Sequence, residues 1–484
     1  MKRKYFFNYF ITIIMFVLII LLSTIVSEKK ILILSIIPSI STIIYIFKIC
    51  KNYSNIYLIF VIFTILYGLA GPIAVYFGEG IGSIYGTLYE IKKYIVAYSL
   101  SEIGIIIGST ALTKIDNDYE KKQNVHLKEF IIKNKNVFLN FSLIFMFVGV
   151  LFQLINTFRC GGFTVLLNSK AYYQAKESTL FLTLPANEVI LIAFTFLSIY
   201  IGAVNDKKGI SCMKIIIELI IFIPYLVIVC LLGQRGKLLS IIVILFLGFY
   251  YFKPLKKIGI KLILIILMAY FFLCFLYANR AIVGLLKNDP QLFLEKAFSS
   301  ERIVAALNPG VNEFGCAYGN FNKFITIGNY EFKYGETYIK GLVLPIPSFL
   351  YPGKKPQQIT YVFRDTYFAS EAKRSSIAGT GFSAILEAYW NFGYIGVLIM
   401  YYIYSLIISI IERKKYKISI INPIIYIYFS SILISFSRTA FGDIFATIAI
   451  KSIILILFFV IPYLLKINER KKNYDKKNIN NIIK

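Results

Sequence analysis

The sequence predicts an all-α polytopic membrane protein, with about 12 transmembrane helices and a large extracytoplasmic loop between helices 9 and 10. Three observations lead there. The 484 residues are 58% hydrophobic and only 16% charged, with a mean hydropathy of +0.71, which is more apolar surface than one water-soluble core can hide. Apolar runs of spanning length recur along the chain. Lys clusters sit at the ends of those runs, so the net charge of +27 reads as topology signals and not as a nucleic-acid footprint.

A spanning helix needs roughly 17 to 25 apolar residues. Suitable runs are Tyr5–Val26, Ile31–Phe47, Ile56–Phe77, Tyr94–Leu112, Val137–Ile155 and Leu180–Val204, followed by Ile215–Leu232, Leu238–Phe252, Ile258–Tyr277, Tyr394–Ile411, Ile418–Phe436 and Ile444–Leu465. The run from Leu238 is short. No small-residue cleavage site precedes Ser27, so the first run reads as a retained signal anchor. Lys and Arg in the short loops number 29 on one side and 10 on the other, which predicts that both termini are cytoplasmic. The division is residues 1–277 for helices 1 to 9, 278–393 for the extracytoplasmic loop domain, 394–465 for helices 10 to 12 and 466–484 for a basic cytoplasmic tail.

The loop has its own mixed composition, as a folded cap would. Pro345, Pro347, Pro352 and Pro356 stiffen one stretch without making helix or strand. Phe382 to Trp390 reads as a helix leading into the tenth span. No repeat of 20 to 50 residues and no inverted pair of broken segments marks a transporter.

Seven of the ten Arg fall outside: Arg159, Arg235, Arg280, Arg302, Arg364, Arg374 and Arg438. Positive charge needed only for topology could be Lys, so Arg retained outside points to a planar, permanently charged, bidentate donor, and phosphate or pyrophosphate is the matching anion. The competing reading pairs each Arg with the loop's nine carboxylates. Arg235 and Arg438 stand out because each sits in a tight outer turn at a helix end, Gly233-Gln234-Arg235-Gly236-Lys237 and Ser437-Arg438-Thr439, where a lipid-linked headgroup would lie.

Charged residues within spans are costly. Glu102 and Glu188 could face a polar cavity reached from outside or form structural pairs, and Glu218 reads as snorkelling. Glu387 differs, since it follows Gly379-Thr380-Gly381-Phe382-Ser383 just above the membrane and could act as a general base. The only histidine, His126, and the pair Asp116 and Asp118 fall in a cytoplasmic segment that reads as solvated loop. The six Cys form no CxxC or Cys/His cluster, so neither a metal nor another cofactor is expected. Cys160 and Cys316 could form a disulfide or stay free.

The stretch Gly379 to Gly396, with Gly-x-Gly-x-Ser, Glu-Ala-Tyr and Asn-Phe-Gly elements, resembles Wzy-type oligosaccharide repeat-unit polymerases of O-antigen and capsule assembly. Cys160-Gly161-Gly162-Phe163, Gln234-Arg235-Gly236, Tyr334-Gly335-Glu336-Thr337-Tyr338, Leu344-Pro345-Ile346-Pro347 and Ser437-Arg438 share in it, so it covers most of the chain from Val137. No Arg here has Gly eleven residues further on, a departure from the Arg-x10-Gly motifs of some polymerases.

The resemblance implies a bacterial plasma (inner) membrane enzyme. It would transfer a growing glycan from undecaprenyl pyrophosphate to the next lipid-linked repeat unit, on the outer face and without a metal or nucleotide sugar. Arg235, Arg438 and Glu387 are then the catalytic candidates, and Arg159, Arg280, Arg364 and Arg374 the substrate-binding ones. Partners would be undecaprenyl-pyrophosphate-linked oligosaccharides and membrane lipid, with a flippase and a chain-length regulator as further candidates, and no nucleic acid. Three alternatives stay open: an O-antigen ligase-type transferase, although this chain lacks the outer His such enzymes use, a flippase or transporter of lipid-linked oligosaccharide, and a sensor or scaffold whose loop binds a partner and performs no reaction.

Overall fold

The computed structural model describes residues 3–76, 90–114, 117–168, 171–172, 175, 185–204, 211–280, 282–307, 313–328, 330–346, 350–351, 357–368, 382–415, 421–433 and 435–457. Among them every regular element is helical. The long helices are α1 (Arg3–Leu22), α2 (Glu28–Cys50), α3 (Ile56–Tyr76), α4 (Ile91–Gly108), α5 (Asn117–Lys133), α6 (Lys135–Arg159), α7 (Ala186–Val204), α8 (Cys212–Leu231), α9 (Arg235–Phe249) and α10 (Ile260–Asn279). Shorter helices follow: α11 (Pro290–Ala297), α12 (Ser300–Leu307), α13 (Cys316–Ile327), α14 (Glu336–Val343) and α15 (Ile359–Tyr367). The chain returns through α16 (Ala384–Lys414), α17 (Ile421–Ser430) and α18 (Phe441–Leu455).

Among the described residues seven helices are long and apolar enough to cross a membrane: Glu28–Cys50, Ile56–Tyr76, Ile91–Leu112, Lys135–Arg159, Ala186–Val204, Cys212–Leu231 and Ala384–Arg413. Phe7–Leu22 and Ile260–Leu276 are shorter apolar helices. Their outer faces keep large apolar side chains such as Ile33, Phe147, Ile220 and Met268 exposed, as suits a chain whose solvent is lipid. Inside, α4 lies along α16, and its Ile105 carbonyl accepts from the Ser405 hydroxyl of α16 (2.8 Å) and from the Tyr57 hydroxyl of α3 (2.6 Å).

Two ion pairs lie inside the bundle. Glu188 forms an ion pair with Lys451 at 2.6 Å, and the Lys451 ammonium lies 3.9 Å from the centre of the Tyr428 ring. At one end of the bundle Glu412 pairs with Lys415 and accepts from the Tyr426 hydroxyl (2.7 Å) and the Ile56 amide (3.2 Å). Two further acidic residues are enclosed, Glu218 against expectation and Glu102 against only one of its two readings. Glu218 does not snorkel but is fully buried, taking a hydrogen bond from the Ser142 hydroxyl. Glu102 is enclosed beside Thr42 and Tyr98 rather than opened to a cavity.

Two further departures, and one agreement in the break of α16, concern helix ends. The segment read as solvated loop is helical from Asn117 to Lys133, because Ile131 is buried against the bundle; Asp116 lies outside the described residues. α16 is broken at Phe392 and Gly393 (φ +61°), so its short leading helix and the spanning part are distinct. The run Ile418–Phe436 is not one span, since α17 stops at Ser430 and a turn leads to a four-residue helix at Ser435–Arg438. At this stop the hydroxyls of Ser430 and Ser431 bond the Ile427 and Tyr428 carbonyls (2.5 and 2.7 Å), and side-chain bonds of this kind compete with helix continuation.

Candidate active site

The break after α17 sets the depth of Arg438. Its neighbour Ser437 has its hydroxyl 3.2 Å from that of Thr64. Thr64 lies eight residues up α3 from the Glu412 end, a rise of about 12 Å along a helix of about 31 Å. The arginine therefore stands near the middle of the bundle's thickness instead of at its rim. Beside it the turn after α17 meets the first turn of α9, where the Ser240 hydroxyl reaches the Ser431 carbonyl at 3.4 Å.

The turn Gly233–Gly236 joins α8 to α9 and gathers three arginines. Arg235 opens α9 and is only 8% exposed. A Cβ placed on Gly236 would stand 3.6 Å from the Arg438 Nη1, and one placed on Gly233 would stand 3.0 Å from the Arg280 Cβ and 3.3 Å from its Cδ. Gly233 also has φ +62°, so both its backbone and its crowding require glycine. Cys160 packs with Ile228 and Leu232 at the end of α8, which brings the Cys160-Gly161-Gly162 turn alongside. Cys160 is a free thiol.

Glu387 belongs to a second, sealed unit. It is fully buried, and its oxygens accept from the Thr337 hydroxyl (2.9 Å) and the Phe441 amide (2.6 Å). Thr337 in turn accepts from the Asn391 side-chain amide (2.7 Å), whose oxygen takes the Gly335 amide (2.9 Å). The backbone amides of Lys333 and Tyr334 bond the carbonyls of Trp390 and Asn391. Two sequence motifs 50 residues apart thus close into one hydrogen-bonded clasp. α14 meets α18 where Gly341 and Gly442 approach so closely that a Cβ on either would come within 2.7 Å of the other's Cα.

The family model described as O-antigen polysaccharide polymerase Wzy matches residues 5–471. The chain belongs to that family. No curated protein and no solved structure matches it. As a Wzy-family protein it is a membrane-embedded O-antigen polymerase of polysaccharide biosynthesis, a bacterial inner-membrane, glycosyltransferase-like protein acting on lipid-linked oligosaccharide repeat units.

Of the candidate residues in this Wzy chain, Arg235, Arg280 and Arg438 share one turn. Arg159 ends α6 on the exposed side. Arg364 is buried on α15, bonded to Asp365 at 2.6 Å and stacked 4.9 Å from the Tyr361 ring centre. Arg374 lies outside the described residues. Thr337 and Asn391 were visible in the sequence only as motif members; their place beside Glu387 is a tertiary contact that no local pattern signals.

Proposed function

We propose that this polymerase transfers the growing glycan from undecaprenyl pyrophosphate to the next lipid-linked repeat unit at the Gly233–Gly236 turn. The observation that carries the reading is the convergence of Arg280 and Arg438 on the turn that bears Arg235. An anomeric carbon already carrying pyrophosphate needs no further activation, so the protein's task is to position two substrates and stabilise charge on the departing group. The acceptor hydroxyl attacks that carbon, the bond to pyrophosphate breaks, and the departing pyrophosphate can take the proton. Guanidinium groups supply the positive charge, so no metal is required. Both termini are cytoplasmic in this reading and residues 278–393 form the outer cap.

Glu387 takes a positioning role. The Phe441 amide it holds is three residues beyond Arg438, so the clasp fixes the chain that presents the arginine. An acceptor hydroxyl does not reach either Glu387 oxygen in the described arrangement, because both are enclosed. The test is to reconstitute the purified chain with a synthetic undecaprenyl-pyrophosphate-linked repeat unit. A ladder of polymers is expected, and release of free glycan or movement of the lipid without polymer would contradict the reading.

A further inference from the structure

An apolar groove runs between α7, α9 and α10, lined by Ile201 of α7, Ile242 and Phe246 of α9, and Ile266 and Ala269 of α10, among others, and it exposes only apolar atoms. Ile265 and Ile266 line it yet stay 62% and 52% exposed, so α10 stands off its neighbours and the groove opens sideways toward lipid. At its upper end lies the arginine turn. Arg235 begins the helix whose Ile242 lines the groove about 10 Å further along, and it is within electrostatic reach of Tyr270 and Cys274, which follow Ala269 along α10.

We infer that this groove binds the polyprenyl chain of a lipid-linked substrate whose pyrophosphate sits at Arg235, Arg280 and Arg438. The inference rests on the pyrophosphate reading above and adds where the tail lies. Charge selects the occupant. A pyrophosphate presents more negative charge and more acceptor oxygens to the arginine cluster than a phospholipid phosphodiester does. The apolar walls then add affinity in proportion to chain length buried, so a long prenyl pyrophosphate should be held more tightly than a short one.

Native mass spectrometry of the purified full chain would compare retention of undecaprenyl pyrophosphate and geranyl pyrophosphate in wild type, Ala269→Trp and Met268→Trp. Ala269→Trp fills the groove and should weaken the long ligand about tenfold while leaving the short one within about twofold. Met268→Trp, at a site 72% exposed and outside the groove, should change neither. An unchanged long ligand in Ala269→Trp, or equal loss of both ligands, would overturn the inference. Wild type that retains neither pyrophosphate would instead sink the pyrophosphate reading, and this inference with it. Ala269→Cys gives a second readout should the tryptophan variant fail to fold. Undecaprenyl pyrophosphate should slow maleimide labelling at that position, and phosphatidylglycerol should not. Equal slowing by both, or by neither, would count against a polyprenyl site.

Discussion

The two functional-looking regions differ in how far their charged groups are open to solvent. In the clasp of Thr337, Glu387, Asn391 and Phe441, each polar group is answered by another within the protein and the carboxylate is out of solvent. At the Gly233–Gly236 turn three permanently charged groups gather, and Arg280 and Arg438 keep part of their surface exposed. A carboxylate and an arginine that look equally catalytic in one dimension therefore separate by access. In the proposed reading the clasp holds the chain and the turn meets an anion.

The largest effect expected from this contrast is on turnover. Arg235→Lys and Arg438→Lys keep the charge but lose the two-point contact, and each should lower polymer formed per folded molecule by about 10² or more. Folded yield, read by size-exclusion profile, should stay near wild type.

Glu387→Gln should act on stability first. It removes a charge-assisted bond to the Phe441 amide and leaves the Thr337 proton without its acceptor, at a cost of about 1.5–3 kcal/mol. Thermal unfolding should shift down and abundance should fall in step with polymer. Wild-type stability with polymer lost per folded molecule would move Glu387 from scaffold to chemistry and collapse the contrast.

Gly233→Ala should cost about 1–3 kcal/mol through strain at positive φ, and it presses on the Arg280 side chain besides. Gly236→Ala meets Arg438 at ordinary contact distance and should be tolerated. Measured side by side, equal losses in the two variants would show that the turn's conformation does not matter. Least of all should chelation matter: EDTA is expected to leave the activity of the purified protein within about twofold, whereas a metal-held pyrophosphate would lose it and regain it with Mg²⁺.

Much of this molecule is legible from its sequence because lipid imposes a length and an apolarity on each crossing. α3, α6 and α8 fall on the apolar runs from Ile56, Val137 and Ile215. What the runs do not reveal is where a helix stops short. Hydropathy continues through Ile432 and Leu433, but serine hydroxyls at 430 and 431 turn on their own backbone, and Arg438 lies deep as a result. The burial of Glu387 is hidden for a related reason: its partners come from α14 and α18, one 50 residues before it and one 54 after. The arginine residues could be named from the Lys-rich background, but only folding shows that Arg280 joins Arg235 and Arg438 while Arg364 turns to Asp365.

The most direct test of the arginine turn is the binding of undecaprenyl pyrophosphate to purified protein, compared among wild type, Arg438→Lys, Arg235→Lys and Glu387→Gln at matched folded concentration. The account predicts that both lysine variants bind about tenfold or more weakly, with Glu387→Gln close to wild type per folded molecule. Lysine variants that bind as wild type does, together with a Glu387→Gln variant that folds fully and does not bind, would contradict it.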